Sequence, residues 1–520
     1  MQNYNILWAD DEIELLKPHI LFLEKKGYQI TPVTSGVDAI DRCEQENFDV
    51  VFLDENMPGM TGIETLSKIK SIQPSLPVVM ITKSEEEDIM EQAIGSRIDD
   101  YLIKPLNPNQ ILLSVKKILD NKRLVSERTN QEYQQDFRNI SMAFGEYMDH
   151  KDWTDIYRKL IKWELEIDKS SDKSMLEILN MQKEEANKTF ANFIEDNYQD
   201  WINESVDDVP LMSHNVMNDV VFEETKKGKP VFLFVIDNLR VDQWKVLEPF
   251  FSEMFQIEEE STYYSILPTT TAYSRNSLFS GLLPSEIQKK YPQFWVGEDQ
   301  EEGKNNHEDE LLEALIRRKR LDLKFSYHKI KNTAQGKSLS DSVLNLMGND
   351  LNVVVYNFVD MLSHARTEME MIRELAPDEP AYRSITVSWF LHSPLYEIFK
   401  KLKQKDVKVI VTTDHGTIRV KKPYKIIGDR NTNTNLRYKQ GKNLAFDEGG
   451  VFFSRTPEKL GLPKTNVSTS YAFALPAYFF AYPNNYNYYV KYYTDTFQHG
   501  GISLEEILIP IVCMNSKNGG

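Results

Sequence analysis

The stretch VVFLDENMPGMTG at residues 50–62 joins an apolar run to an aspartate and then to a turn containing Pro and Gly. Residues 50–53 are therefore predicted to form a buried strand that ends at Asp54. Similar runs, separated by segments of helical period, lie between residues 5 and 120, at 6–9, 29–34, 78–82 and 101–103. Five such βα units predict a parallel, doubly wound α/β sheet.

Polar residues stand where these predicted strands end. Asp10 and Asp11 follow the first strand, and Asp54 ends the third. Thr82 ends the fourth and Lys104 the fifth. Because ligands bind outside the carboxyl ends of the strands in an open parallel sheet, these five side chains are expected to meet in one pocket.

The residue types in this pocket suit phosphorylation of an aspartate. Mg²⁺ is a hard cation that prefers oxygen ligands, and its predicted ligands are Asp10, Asp11, Asp54 and Asn56. Lys104 would bring positive charge, and Thr82 a hydroxyl donor, to the phosphoryl oxygens. Phosphorylation adds about two negative charges, which can pull Thr82 inward, and Tyr101 is placed to respond by turning between exposed and buried rotamers.

Residues 54–62 resemble the loop that follows the phosphorylated aspartate in the receiver family of two-component response regulators. The resemblance covers about 120 residues. It implies phosphorylation of Asp54 by a sensor histidine kinase and a cis peptide bond between Lys104 and Pro105.

The C-terminal part contains a second set of polar residues after apolar runs. The runs at 231–236, 353–359 and 407–413 precede Asp237, Asp360 and Asp414. Histidines accompany them at His364, His415 and, near the C-terminus, His499. Aspartates and histidines together suit borderline cations such as Zn²⁺ better than Mg²⁺. Taken singly, Asp360 and His364 could equally be a helix start with a surface histidine, and His499 a turn residue.

Residues 228–515 resemble the alkaline phosphatase superfamily, and its PglZ branch in particular. The resemblance implies two Zn²⁺ ions. One would be bound by Asp237, Thr271, Asp414 and His415. The other would be bound by Asp360, His364 and His499.

The segment PTTTAYSRNSLFSG at residues 268–281 is similar to the nucleophile segment of nucleotide phosphodiesterases in that superfamily. A hydroxyl at a helix N-terminus beside a metal is suited to in-line attack on phosphorus. The resemblance assigns this role to Thr271, with Thr270 as the alternative. Ser274 is a predicted substrate-binding residue at a position where the diesterases carry Asn. A simple threonine-rich helix cap is the competing interpretation.

A basic stretch follows the Asp-His pair. Between Arg419 and Lys442 there are eight Lys or Arg residues against one acidic residue, Asp429. We expect Arg437, Lys439 and Lys442 to reach substrate phosphates. A solvated loop or a partner surface is the alternative.

Composition restricts the classes of partner. The formal net charge is −18 and the pI is about 5.1, which argues against general attraction to DNA or to an anionic membrane. Two cysteines, Cys43 and Cys513, leave no disulfide framework, as expected in a reducing cytoplasm. No apolar run reaches the length of a membrane span, so no membrane insertion is expected.

The chain is predicted to contain a receiver domain at 1–120, a helical bundle or connector at 121–209 and a PglZ-like α/β domain at 210–520. Residues 121–209 contain no Pro and a single Gly, and their apolar residues recur at helical spacing. This order resembles the PorX-type response regulators. That resemblance implies a cytoplasmic regulator of type IX secretion, a homodimer on phosphorylation, and an extracytoplasmic-function sigma factor as partner.

Two functions fit these observations. The first is a regulated phosphodiesterase or phosphatase acting on nucleotides or oligonucleotides through Thr271. The second is a catalytically silent adaptor whose metal domain binds the sigma factor or another protein. A transcription factor that binds specific DNA is disfavoured by the acidic charge and by the lack of a recognisable helix-turn-helix segment.

Overall fold

The computed structural model describes residues 4–83, 98–169, 174–297, 303–429, 432–447, 449–481 and 485–517, without the side chains of residues 120–131 and 174. The chain forms two compact units. Met1–Asp136 with Lys169–Ser171 make up the first, and Phe137–Asp168 with Asp172–Gly520 make up the second. The predicted boundary between residues 120 and 121 falls inside a helix, Pro108–Ala143.

The first unit contains a five-stranded parallel sheet. Its strands are β1 (Tyr4–Ala9), β2 (Tyr28–Val33), β3 (Val50–Asp54), β4 (Val78–Thr82) and β5 (Asp100–Ile103). The order is β2-β1-β3-β4-β5, and every neighbouring pair is parallel. The described helices of this unit are Lys17–Glu24, Gly36–Gln45, Gly62–Ile72 and the first part of Pro108–Ala143. The predicted doubly wound fold is confirmed.

Strand β3 is continuously apolar because both of its faces are covered. Val51 and Leu53 belong to one buried cluster, and Val50 and Phe52 belong to the cluster on the other face. Alternation of side chains across a strand produces this division.

The turn after Asp54 is held by a helix cap and by a close approach of the backbone. The Thr61 hydroxyl accepts the Glu64 N–H at 3.2 Å, and the Thr61 N–H donates to the Glu64 carboxylate at 2.9 Å. Gly62 packs so tightly that a Cβ there would lie 2.3 Å from the backbone oxygen of Asp54. The end of β3 is thereby fixed to the start of the next helix.

The second unit contains the remaining strands. They are β6 (Val231–Ile236), β7 (Phe255–Tyr264), β8 (Phe325–Ile330), β9 (Leu351–Tyr356), β10 (Lys408–Thr412), β11 (Ile418–Arg419), β12 (Lys422–Ile427), β13 (Tyr438–Lys442), β14 (Ala445–Phe446), β15 (Val451–Ser454), β16 (Thr469–Ala474), β17 (Tyr478–Ala481), β18 (Phe497–Gln498) and β19 (Leu508–Ser516).

The main sheet of this unit has the order β7-β19-β10-β6-β9-β8. Strands β10, β6, β9 and β8 run parallel, whereas β19 is antiparallel to β10 and to β7. Smaller sheets lie beside it, in the orders β11-β18, β14-β12-β17 and β13-β16-β15. The carboxyl ends of the parallel strands again share one edge, where a ligand site is expected.

Helices surround the main sheet. They are Phe222–Thr225, Val241–Met254, Thr271–Ser280, Pro284–Lys290, Glu308–Lys319, Thr333–Ser342, Phe358–Glu368, Glu370–Leu375, Glu379–His392, Pro394–Leu402, Tyr486–Tyr493 and Leu504–Ile507. Both faces of the main sheet are covered, as strand β6 shows. Phe232 and Phe234 belong to one buried cluster, and Leu233 and Val235 belong to the other.

The predicted helical bundle consists mainly of His150–Lys169 and Ser174–Ile202, and it packs within the second unit. The Trp201 ring lies 5.4 Å from that of Tyr264 on β7, and the Phe190 ring lies 6.3 Å from it. The buried Arg383 guanidinium joins Glu164 of the bundle, at 2.9 Å, to Asp242, at 2.8 Å. Aromatic packing and buried ion pairs therefore attach the bundle to the sheet domain.

One predicted strand is placed differently in the structure. The run at 353–359 is wrong as a single strand, because β9 ends at Tyr356 and a helix begins at Phe358. No helix in the described parts of the chain is long and apolar enough to cross a membrane.

Candidate phosphorylation and metal sites

The carboxyl ends of β1, β3 and β5 meet in the first unit, as predicted. Lys104 Nζ lies 2.6 Å from Asp54 Oδ1 and 2.8 Å from Asp10 Oδ2. One carboxylate oxygen from each of Asp10, Asp11 and Asp54 lies within 4.8 Å of the other two. Asp10 and Asp54 are buried and Asp11 is exposed. Burial raises the pKa of Asp54, and its hydrogen bond with Lys104 opposes that rise.

The remaining predicted receiver residues surround this cluster. Thr82 donates its hydroxyl to the Glu55 carboxylate, a partner that the sequence did not indicate. Asn56 donates its backbone N–H to Asp54 Oδ2 at 3.2 Å. Tyr101 is 42% exposed, which corresponds to the exposed one of the two rotamers predicted for it. The Lys104–Pro105 bond is cis, as expected.

In the second unit, Asp237, Asp414 and His415 form a fully buried cluster at the ends of β6 and β10. Ligand atoms of the three residues lie within 4.8 Å of one another. His415 Nε2 lies 3.7 Å from Asp237 Oδ1 and 3.7 Å from Asp414 Oδ2. Thr271 Oγ1 lies 3.1 Å from the same His415 nitrogen. All four residues assigned to one metal by resemblance are therefore adjacent.

Arg275 occupies the same cluster, one helical turn beyond Thr271. Its guanidinium is fully buried, forms an ion pair with Asp237 and lies 3.1 Å from Asp414 Oδ2. A third buried carboxylate, that of Glu308, lies 3.5 Å away. Burial raises the pKa of Asp237, and the charge of Arg275 opposes the rise. Arg275 was not among the predicted site residues, although it is a charged residue within the predicted nucleophile segment.

Asp360, His364 and His499 form a second cluster with ligand atoms within 4.8 Å of one another. Asp360 carboxylate oxygens lie 3.5 Å from His364 Nε2 and 3.6 Å from His499 Nε2. The His499 ring stacks on the His415 ring with centroids 4.2 Å apart, so the two clusters are neighbours. Burial lowers the pKa of His499 to about 3, and this keeps the imidazole neutral, as a metal ligand must be.

Asn238 lies between the two clusters and was not predicted. It follows Asp237 directly and adopts a left-handed backbone with φ of 65°. Its Nδ2 lies 3.4 Å from Asp360 Oδ1. Its own Oδ1 is buried and has no hydrogen-bond partner among the described residues, and the same holds for Asp237 Oδ1.

The residues of both clusters fit divalent cations. Buried oxygen atoms without partners are costly unless an ion or another polar group approaches them. Two carboxylates, an imidazole and a hydroxyl in one cluster, and a carboxylate with two imidazoles in the other, match the ligand preference of borderline metals such as Zn²⁺.

Thr271 is the first residue of the helix Thr271–Ser280, and Thr270 is its N-cap residue. The Thr271 hydroxyl lies at the buried cluster, 3.1 Å from His415 Nε2, whereas the buried Thr270 hydroxyl has no hydrogen-bond partner among the described residues. The Ser274 hydroxyl donates to the Thr270 carbonyl at 2.7 Å, within the same helix.

The family model described as the BREX system PglZ alkaline phosphatase-like domain matches residues 216–514, more than half of the chain. The chain belongs to the PglZ family. Two further models match before the PglZ domain: the response regulator receiver domain at 6–116 and the PorX response regulator linker domain at 123–202. This order is the PorX-type architecture predicted from the sequence.

Similar proteins match the receiver region. The transcriptional regulatory protein ResD of Bacillus subtilis is 34% identical over 114 residues, which are 22% of this chain and 47% of ResD. The transcriptional regulatory protein ZraR of Klebsiella oxytoca is 34% identical over 123 residues, which are 24% of this chain and 28% of ZraR. The chain thus spans about half of the first relative and less of the second.

Solved structures also match this region. A CheY-like receiver domain protein from Methanospirillum hungatei is 27% identical, with a TM-score of 0.23, over 23% of this chain and 96% of its own. A two-component response regulator from Clostridium difficile is 30% identical, with a TM-score of 0.22, over 23% of this chain and 97% of its own. At these TM-scores the likeness supports no further conclusion.

Together, the receiver and PglZ domains make this protein a two-component response regulator with a phosphatase-like output domain. The receiver domain contains a carboxylate cluster of the kind that binds Mg²⁺. The PglZ domain belongs to a metal-binding class of fold, in agreement with its two ligand clusters.

The predicted role of Arg437 in binding substrate requires correction. Its guanidinium is fully buried in the PglZ domain and pairs with Glu506 at 2.6 Å. The same group donates to the carbonyls of Leu475, Tyr478 and Ile502. These contacts occupy its donors, so Arg437 stabilises the chain around residues 501–506 and has no donor left for phosphate.

The other two basic residues predicted to bind substrate lie on the same strand, β13. Lys439 is buried, and its Nζ donates to the Asn433 carbonyl at 2.8 Å. Lys442 is exposed at the end of the strand. Among the described contacts, none joins these two side chains to the metal clusters, and Arg430 of the same basic stretch lies outside the described residues.

Proposed function

We propose that the PglZ domain hydrolyses phosphate esters with Thr271 as the nucleophile, and that phosphorylation of Asp54 in the receiver domain controls it. The observation that carries this proposal is the position of the Thr271 hydroxyl. It lies at a helix N-terminus, 3.1 Å from His415 Nε2, in a buried cluster of metal-ligand type. A hydroxyl in that place is suited to attack on phosphorus.

The ligand clusters divide the site into two parts. Asp237, Asp414 and His415, with Thr271, would hold one divalent cation. The second would be held by Asp360, His364 and His499. Bound Zn²⁺ would supply positive charge that acidifies the hydroxyl and stabilises the charge developing on the phosphoryl oxygens.

The protein residues define the reaction. Thr271 Oγ1 loses its proton and forms a bond to phosphorus while the bond from phosphorus to the leaving-group oxygen breaks, and that oxygen takes up a proton. A monoester leaves a phosphothreonine, and a diester leaves a threonine phosphodiester that keeps the second ester group. Water then hydrolyses the Oγ1–phosphorus bond, which regenerates the hydroxyl and releases phosphate or a monoester. Arg275 holds Asp237 and Asp414 in place throughout, because its guanidinium contacts both carboxylates.

The similarity of residues 268–281 to the nucleophile segment of nucleotide phosphodiesterases favours phosphodiesters, with nucleotides or oligonucleotides as the substrate class. Ser274 stands where those enzymes carry Asn. The Ser274 hydroxyl donates its proton to the Thr270 carbonyl, so it can only accept further hydrogen bonds. The Ser274 hydroxyl is therefore less able to donate a hydrogen bond to a substrate phosphate. Monoesters accordingly stay among the substrates to be tested.

The test combines metal analysis with turnover. Metal content would be measured by mass spectrometry, and hydrolysis of aryl phosphomonoesters and phosphodiesters by the wild type, Thr271→Ala and Thr270→Ala. Thr270→Ala is the matched control because its hydroxyl is the neighbouring one and has no hydrogen-bond partner among the described residues. We expect two Zn²⁺ per chain and loss of turnover, by about 10³-fold or more, in Thr271→Ala alone.

Activity that persists in Thr271→Ala and disappears in Thr270→Ala would assign the nucleophile to Thr270 instead. Absence of turnover in a wild type that holds two Zn²⁺ would contradict the enzymatic proposal.

The proposed regulatory role follows the PorX-type architecture. A sensor histidine kinase would phosphorylate Asp54, and the phosphorylated protein would form a homodimer that regulates type IX secretion from the cytoplasm. An extracytoplasmic-function sigma factor is the proposed protein partner.

An exposed apolar surface favours a second candidate function, that of a protein-binding adaptor. Met361 adjoins Asp360, and further exposed apolar side chains follow between this helix and the next, at Met369, and on the next helix, at Met371 and Leu375. A contiguous exposed apolar patch marks an interaction surface, and this candidate takes these four side chains to form one. If the metal-loaded wild type shows no turnover and polar substitutions at Met369 and Leu375 abolish binding of a sigma factor, the adaptor is the better description.

A further inference from the structure

We infer that two side chains of the bundle helix Ser174–Ile202, Tyr198 and Asn187, are positioning residues for the metal clusters of the PglZ domain. The inference rests on the proposed function only in taking those clusters to bind metal. Both side chains are buried, and both reach chain segments that carry predicted ligands.

Tyr198 anchors the start of the Thr271 segment. The buried backbone N–H of Leu267 donates to the Tyr198 hydroxyl oxygen at 2.8 Å. Leu267 stands four residues before Thr271 in the chain. Because the N–H is buried, removal of its acceptor would leave an unsatisfied donor, which the segment could avoid only by moving.

Thr269 links this segment to His499. The His499 Nδ1 atom lies 3.2 Å from the Thr269 carbonyl, and the Gly500 N–H donates to the Thr269 hydroxyl at 3.0 Å. The Thr269 hydroxyl in turn donates to the Gly501 carbonyl at 3.0 Å. A proton on Nδ1 leaves His499 Nε2 free to face Asp360, as a metal ligand requires.

Asn187 fixes the segment that follows His499. Its Oδ1 accepts the Leu504 N–H at 2.8 Å, and its Nδ2 lies 3.1 Å and 3.3 Å from the two Glu505 carboxylate oxygens. The backbone oxygen of Glu505 packs directly on Gly416, where a Cβ would lie only 1.9 Å away. Gly416 follows His415, so the segment around Glu505 restrains the backbone next to His415.

One helix therefore supports the segments of three predicted metal-site residues, Thr271, His415 and His499. Tyr198 and Asn187 are eleven positions apart, about three helical turns, so both can face the PglZ domain. Groups that orient metal ligands through hydrogen bonds commonly change metal affinity by about 10–100-fold when they are removed. The bundle would thus act on metal binding indirectly, through the chain segments that carry the predicted ligands.

The test uses the full-length protein and Co²⁺ as the probe. Affinity would be measured by competition with a chromophoric chelator, and ligand geometry by the visible absorption of bound Co²⁺, for Tyr198→Phe and Asn187→Ala. Asn203→Ala is the matched control, because Asn203 Nδ2 also donates from the bundle to the PglZ domain, at the Lys459 carbonyl at 3.0 Å, away from the ligands.

We expect each of the two variants to bind Co²⁺ about tenfold more weakly and with a changed absorption spectrum, while the control matches the wild type. The thermal unfolding temperature of each metal-free protein would also be measured. This separates a loss of metal affinity from a general loss of stability in the variants and in the control. Wild-type affinity and spectrum in both Tyr198→Phe and Asn187→Ala would overturn the inference and leave the proposed function intact. Failure of the wild type itself to bind Co²⁺ would overturn both.

Discussion

Replacement of Arg275 by Met should strongly destabilise the metal-free protein. The guanidinium is fully buried among three buried carboxylates. It forms an ion pair with Asp237, and its nitrogen atoms lie 3.1 Å from an Asp414 oxygen and 3.5 Å from a Glu308 oxygen. Met retains much of the side-chain volume but removes the charge. Removing one partner from a buried ion pair costs about 3–5 kcal/mol, because the remaining charges lose their compensation. We expect the free energy of unfolding to fall by about that amount.

The assay is urea denaturation in the presence of a chelator, followed by tryptophan fluorescence. Fluorescence reports mainly the second unit, since Trp8 is the only tryptophan in the first. Arg317→Ala is the control, because its ion pair with Glu313 leaves the Arg317 side chain 76% exposed, and surface pairs contribute about 0–1 kcal/mol. Added Zn²⁺ should restore part of the stability of Arg275→Met by returning positive charge to Asp237 and Asp414. A loss no larger than that of the control would refute this account of the cluster.

Two further predictions concern the receiver domain and the pH dependence of stability. Asp54→Ala should abolish the dimerisation that acetyl phosphate induces in the wild type, and equal dimer content in both proteins by light scattering would contradict this. Burial lowers the pKa of His214 to about 4, whereas its value in the unfolded chain is near 6.5. Between these two pH values the folded state binds fewer protons than the unfolded state. The free energy of unfolding therefore falls as the pH falls, by roughly 3 kcal/mol at most. His214→Gln should therefore lose less stability than the wild type between pH 7 and pH 4.5 in chemical denaturation, and equal losses would be evidence against it.

The strands could be predicted because buried parallel strands are continuously apolar and end in polar residues. Strand β6 has the predicted bounds, and Asp237 follows it directly. The error after β9 arose because the apolar residues Phe358 and Val359 were counted as part of the strand, although they belong to the next helix. Asn357 interrupts the run and is the N-cap residue of that helix, a position where Asn is common, so the sequence did mark the change of structure. Asp360 consequently lies in the first turn of a helix and does not end a strand.

The predicted ligands could be found by their residue types, but the groups that organise them could not. Arg275 and Asn238 act through contacts with residues that are distant in the chain. The same limitation explains the error at Arg437. A basic residue in a basic stretch of an acidic chain suggests an exposed anion-binding surface. Its partner Glu506 lies 69 positions further along the chain, so only the fold reveals a buried ion pair.

The two ligand clusters differ in a way that orients the proposed reaction. Asp237, Asp414 and His415 are closed off from solvent, whereas the His364 side chain in the second cluster is 61% exposed. Catalytic metal sites keep a position open for water or substrate, and structural sites are closed. Under the proposed function, an ester would reach the half-buried Thr271 hydroxyl from the solvent side of the site, where His364 is exposed. If the proposed function is right, Asp237, Asp414 and His415 would position the nucleophile, and Asp360, His364 and His499 would face the incoming substrate.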